Sequence, residues 1–253
     1  MKTLCNIVFM LLVMLIVAAC SSQEKPTLKI GMNAEFPPFS YKVDGSFVGI
    51  DVDLAHKIAE KMDQPYEIVD MEFENLIPAI TAGRIDFAIS ALSITEERSR
   101  LIEFSQEYFR VNQAVYAKQN SPIEIQSPRD MAQYRIGVTN STTAHQWVQQ
   151  NLVLKNLVSI AQIHLYLTHT EAFTDLMKDN IDLVINDDSV FYGFKKKFPI
   201  TIKYLIDTGE AYGIAMPKDG EYNKKIKAAL QDIIDSGEMQ SIIQTHIPKQ
   251  EDF

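Results

Sequence analysis

The chain has 253 residues, a formal net charge of −9, and 46% hydrophobic against 23% charged residues. That composition supplies packed cores and excludes a disordered or collagen-like chain, while the acidic balance excludes a general nucleic-acid binder. At about 150 residues per domain the length allows one large domain or two small ones, and an anionic ligand would need a local positive site.

Lys2, the apolar run Ile7 to Val17 and the small pair Ala18-Ala19 have the order of an export signal over residues 1–19. The run is shorter than the roughly 18 residues of a membrane span, and an uncleaved anchor helix is the other reading. Val17-Ala18-Ala19-Cys20 resembles the lipobox of bacterial lipoproteins, with valine where leucine is usual. That resemblance implies a lipid on Cys20, a flexible tether over 20–26 and, with Lys2 removed, a net charge of −10. Cys5 leaves with the signal, so the expected mature chain has no disulfide and rests on core packing. Ser21 would favour the outer membrane in a Gram-negative host.

The body alternates strand and helix patterns. Leu28 to Ile30 reads as a strand stopping at Gly31, and Phe47-Val48-Gly49 as one following the Asp44-Gly45 turn. From Asp51, Leu54, Ala55, Ile58, Ala59 and Met62 recur at helical spacing. Tyr66 to Val69 is strand-like, Leu76 to Ala82 a short helix ended by Gly83, and Phe87 to Ile89 a buried strand. Ala114 to Tyr116 is strand-like before the polar break Lys118 to Pro122, which suggests a boundary near 117. Tyr134 to Val138 opens a second β-α series. Ala211 to Met216 is another strand, followed by helices over Tyr222 to Ile234 and Glu238 to Ile243. Such alternation predicts an α/β fold with mostly parallel sheets flanked by helices.

The segments 82–90 and 179–187 echo each other: a helix end, an Ile-Asp turn, then an apolar strand ending in polar residues, with Asp86 and Asp182 96 positions apart. Two similar lobes fit that spacing, and polar residues at the carboxyl ends of parallel strands are where open sheets bind ligands. Two unrelated buried strands are the plainer explanation.

Thr95 is a good N-cap, which places Arg98 at the third helical position, where a cation opposes the helix dipole by about 0.3–1 kcal/mol. A guanidinium fork suited to a carboxylate is one reason for it; a surface arginine offset by Glu96 and Glu97 is the other. Thr139 to Ala144 follows a strand and opens a helix toward Trp147, either as an anion site or with Ser141 or Thr142 as an ordinary cap.

Phe36-Pro37-Pro38-Phe39, Gly49-Ile50-Asp51-Val52-Asp53-Leu54, Leu76-Ile77-Pro78, Ile94 to Arg98 and Phe104-Ser105 resemble the successive motifs of family 3 solute-binding proteins. These are polar amino-acid receptors of bacterial ABC importers. The resemblance runs from about residue 27 to 246 and implies a two-lobed clamshell of the type II periplasmic-binding-protein fold. Lobe 1 would comprise 27–116 and 211–253, lobe 2 117–210. It also implies that Arg98 takes the α-carboxylate with help from Thr142 and Thr143, and that Asp187 takes the α-ammonium with Ser90 and Ser93. Ser141 stands where the family often has glycine, Asn33 where basic-ligand members place an acid, and Ala91 where some have serine.

Phe36 and Phe73 match aromatic positions that sandwich the ligand side chain in the family, a slot suited to a guanidinium; core packing is the alternative for both. Thr139 stands where glutamine binders can have lysine, and Glu35, Glu72 and Glu74 could neutralise a cation. The implied ligand is arginine, then lysine, histidine or ornithine, with glutamine as the neutral rival. A dehydratase on the same fold would use Glu35, Glu72 or His145. A lytic transglycosylase would need an added catalytic domain, and a sensor kinase a membrane span and kinase region. The expectation is therefore a non-enzymatic, monomeric receptor without metal or cofactor that is periplasmic or at the cell surface. It would be lipid-anchored and deliver its ligand to an inner-membrane permease.

Overall fold

The computed structural model describes residues 25–247. The expected signal, Cys20 with its expected lipid and the last six residues lie outside the described residues. Chain order begins with strand β1 (Leu28–Met32), the short β2 (Glu35–Phe36), β3 (Ser40–Val43) and β4 (Ser46–Val48), then helix α1 (Ile50–Met62). Strand β5 (Tyr66–Asp70), helix α2 (Leu76–Thr81), β6 (Phe87–Ala88), α3 (Glu96–Leu101) and the long β7 (Glu103–Lys118) follow. Next come β8 (Ile136–Thr139), α4 (Thr143–Val148), β9 (Ile163–Tyr166), α5 (His169–Met177), β10 (Leu183–Asp187) and α6 (Phe191–Phe194). A second long strand, β11 (Ile200–Met216), leads to α7 (Asn223–Asp235) and α8 (Glu238–His246).

Eight strands form one sheet in the order β5-β1-β6-β11-β7-β10-β8-β9. The outer members pair in parallel, β1 with β5 and β6 at one end and β8 with β9 and β10 at the other. Between them β7 and β11 run antiparallel along nearly their whole lengths. The result is a two-lobed α/β architecture whose parallel halves are joined through two shared strands. Among the described residues, no helix is long and apolar enough to cross a membrane.

Local sequence explains the elements. In α1, Leu54, Ala55, Ile58 and Ala59 form the buried stripe, and Asp51 and Asp53 lie in the first turn, where the helix dipole favours anions. Burial of Leu54 and Ile58 contributes about 1.5–3 kcal/mol each. A separate apolar cluster draws on Val115, Ile136, Val138, Val148, Leu183 and Ile206, so the β8–β10 end of the sheet has its own core.

Two expectations need correction. Strand β1 continues through Gly31 to Met32. Gly31 is there for close packing, since a Cβ would lie 2.3 Å from the Ile85 side chain. The strand-like fragments at 114–116 and 211–216 are the ends of strands of 16 and 17 residues. The polar stretch Asp207 to Gly209 hides this continuity, because the pairing of β11 with β7 is interrupted there and resumes at Glu210. Register shifts between Ile206 and Glu210 bend β11, and Asn112 Oδ1 accepts from the Thr208 and Gly209 N–H groups at 3.0 Å each.

Candidate functional site

The carboxyl ends of β1, β6 and β10 and the starts of α3, α4 and α5 surround one narrow cavity. Of the residues singled out from sequence, Asn33, Phe36, Phe73, Ser90, Ala91, Ser93, Arg98, Thr142, Thr143 and Asp187 line it. Glu35 and Thr139 do not. Glu35 is exposed, because alternate residues of β2 face opposite sides and its neighbour Phe36 turns inward. Thr139 is buried behind the wall, its hydroxyl 2.9 Å from His169 Nδ1. Glu72 and Glu74 are also exposed, so none of the three acids expected to neutralise a cation lines the cavity.

Arg98 is held as the capping pattern predicts. Thr95 Oγ1 accepts from the Arg98 backbone N–H at 3.2 Å, and the side chain is 7% exposed. Its Nη1 donates to the Ser93 carbonyl at 3.0 Å and Nη2 to the Ser141 carbonyl at 3.2 Å, while the guanidinium sits 5.4 Å from the Phe73 ring centre. Burial pulls its pKa below the ordinary arginine value, against the opposing pull of Glu210 and Asp187. Among the described residues no carboxylate forms an ion pair with it.

Asp187 ends β10 and is 7% exposed. Tyr212 Oη and Gln113 Nε2, one from each long strand, donate to its two carboxylate oxygens. Burial, and after it the neighbouring Glu210, pushes this carboxyl up to about 7. No cation pairs with it among the described residues. Glu210 itself accepts from Ser93 Oγ at 2.8 Å and from Gln113 Nε2 at 3.2 Å, which links the cavity wall to the bend of β11.

Thr142 is the ordinary cap of α4, accepting from the His145 N–H at 3.2 Å and donating to the Thr139 carbonyl at 2.7 Å. Ser141 has φ 61, a left-handed conformation glycine adopts freely, so the substitution keeps the loop's shape at a conformational cost. Ala91 likewise has φ 46 and is anchored by Asp51, whose Oδ2 accepts its N–H at 2.8 Å. Burial pushes the Asp51 carboxyl up to about 7.

Sequence reading missed His169 and Asn186, which line the cavity, and Gln113, Glu210 and Tyr212 behind it. The Thr168–Glu171 capping box marks the start of α5 in the sequence and so brings His169 to a helix N-terminus. Asn186 falls in the polar strand end that the 179–187 echo marks, whereas nothing local marks Gln113, Glu210 and Tyr212, which arrive by long-range strand pairing.

The family model for bacterial extracellular solute-binding proteins, family 3, matches residues 28–249. The L-arginine-binding protein of Pseudomonas aeruginosa is 30% identical over 231 residues, covering 87% of this chain and 86% of that protein. An ancestral arginine-binding protein bound to arginine superposes with a TM-score of 0.81 at 32% identity, covering 89% of this chain and 100% of its own. An ancestral arginine-binding protein bound to glutamine gives 0.81 at 31% identity, covering 90% of this chain and 100% of its own. With a family match spanning nearly all of the described chain, this protein belongs to the bacterial extracellular solute-binding proteins of family 3.

Proposed function

We propose that the protein is an extracytoplasmic receptor that captures an amino acid, arginine in the first place, and hands it to an ABC permease without chemical turnover. The observation that carries this reading is the pair Arg98 and Asp187, two buried groups of opposite charge that line one cavity and form no ion pair among the described residues. A buried unpaired charge costs several kcal/mol, and a zwitterion supplies a carboxylate for one and an ammonium for the other. Phe36 and Phe73 then flank the side chain, where stacking suits a guanidinium. The arginine-binding relatives support that side chain. A neutral amide ligand such as glutamine is the second reading, favoured by the remaining polar wall of Asn33, Asn186 and His169. A thermal-shift panel of the common amino acids at pH 7 tests both. Arginine is expected to raise the midpoint most, and a shift with no amino acid would sink the receptor assignment.

We assign residues 27–116 with 211–253 to lobe 1 and 117–210 to lobe 2, as a monomer carried on a lipidated Cys20 once residues 1–19 are removed. On this division several contacts tie the lobes together: Arg98 to Ser141, Gln146 Nε2 to Glu97 at 2.8 Å, and Asn140 Nδ2 to Glu74 at 3.2 Å. Gly193 also lies so close to Pro37 that a Cβ on it would sit 2.5 Å from the Pro37 carbonyl oxygen. Gly193→Val should therefore wedge the cleft. Arginine affinity is expected to fall while the unliganded melting temperature stays, and small-angle scattering should show no compaction with ligand. Wild-type compaction in that variant would refute the lobe division.

A further inference from the structure

The proposed amino-acid site contains one side chain whose hydrogen-bonding role is set by its neighbours alone. The Asp187 N–H donates to Asn186 Oδ1 at 2.9 Å, which fixes the orientation of the Asn186 amide. Its Nδ2 therefore faces His169 Nδ1, 2.9 Å away, as a donor. An amide N–H has only hydrogen to offer, so Nδ1 must be the acceptor, and the Thr139 hydroxyl, also 2.9 Å from Nδ1, donates to it as well. The imidazole proton is thereby placed on Nε2. Burial pulls His169 down to about 3, so the ring is neutral at physiological pH. The ring is 6% exposed, packs 4.6 Å from the Phe36 ring and lines the cavity. Nε2 has no hydrogen-bond partner among the described residues.

We infer that His169 is a specificity-determining residue that presents a fixed Nε2–H donor to the ligand's side chain. It favours side chains ending in a carbonyl acceptor, such as the amide of glutamine or the ureido group of citrulline, over a guanidinium, which has only donors. Asn33 complements it. Asn33 Nδ2 donates to the Met71 carbonyl at 3.0 Å, which leaves Oδ1 to accept from an amide or guanidinium N–H. The site thus accommodates a guanidinium through Phe36, Phe73 and Asn33, while His169 narrows its advantage over a neutral amide. This inference rests on the amino-acid reading of Arg98 and Asp187.

The test is calorimetry with arginine and with glutamine on the wild type, His169→Leu and His169→Gln. Leucine removes the donor and keeps an apolar contact for Phe36, so glutamine affinity should fall roughly three- to tenfold more than arginine affinity. His169→Gln restores a donor and should recover most of the glutamine binding. An equal loss for both ligands in His169→Leu, or no change for either, overturns the inference while leaving the receptor reading intact; binding of neither ligand to the wild type overturns both. Nitrogen NMR of the wild-type imidazole is the variant-free measurement. An Nε2–H tautomer whose resonance moves more with glutamine than with arginine is expected, and an Nδ1–H tautomer would overturn the assignment.

Discussion

Replacing Arg98 by alanine is expected to weaken arginine binding by roughly 30-fold to several thousand-fold, the usual cost of truncating one partner of a buried, hydrogen-bonded charge pair. The size of the effect follows from three coincident losses. The ligand carboxylate would lose its charged fork, the Ser93 and Ser141 carbonyls would lose their donor, and Phe73 would lose the cation beside its ring. Arg98→Lys separates charge from geometry. An ammonium keeps the charge but cannot span the Ser93 and Ser141 carbonyls with a rigid fork, so an intermediate affinity is expected. Calorimetry checks both variants, with circular dichroism to confirm folding. Unchanged affinity in Arg98→Ala would remove the carboxylate assignment.

The second large effect is on pH dependence. Burial and Glu210 push Asp187 up to about 7 in the unliganded protein, and an ammonium docked against it would pull that pKa down. Binding then releases a proton at acid pH. Affinity is expected to hold above pH 7 and to fall by about tenfold per unit as pH drops toward 5, the limit for one proton. Asp187→Asn should bind more weakly throughout and flatten that slope. The slope surviving in Asp187→Asn would assign the proton elsewhere, with Asp51, also near 7, as the next group to change. Folding stability of the unliganded protein moves the opposite way. A carboxyl whose folded pKa is raised contributes stability that is present below its unfolded value near 4 and lost as pH rises through about 7. Ligand should therefore protect most where the unliganded protein is weakest.

Both effects depend on an arrangement that spans the chain. Asp187 is oriented by Gln113 and Tyr212, one from each shared strand, and Glu210 of the same β11 also holds Ser93. Movement of β7 against β11 would change the surroundings of Asp187 and of the Ser93 carbonyl that Arg98 contacts. The bend at Ile206–Glu210 lies where that coupling is made.

Elements whose signals are local can be read from the chain of residues alone. Thr95 capping Arg98, the apolar stripe of α1 and the paired Ile-Asp turns before β6 and β10 depend on neighbours within a few residues, and each is legible without coordinates. The resemblance to solute-binding motifs extended that reading to most of the cavity wall. The full length of β7 and β11 emerged only in three dimensions, because these strands pair over a long span on either side of an interruption at 207–209, where the Asn112 side chain takes two backbone N–H groups. The exclusion of Glu35 and Thr139 from the cavity emerged there as well, since a strand's facing depends on its register with its partners. His169 and Glu210 are tied to the site by contacts with Asn186 and Ser93, 17 and 117 residues away in the chain. Chain proximity carries no record of such contacts; they arise when packing the two ends of the sheet brings polar side chains to a shared, buried surface that leaves each of them needing a partner.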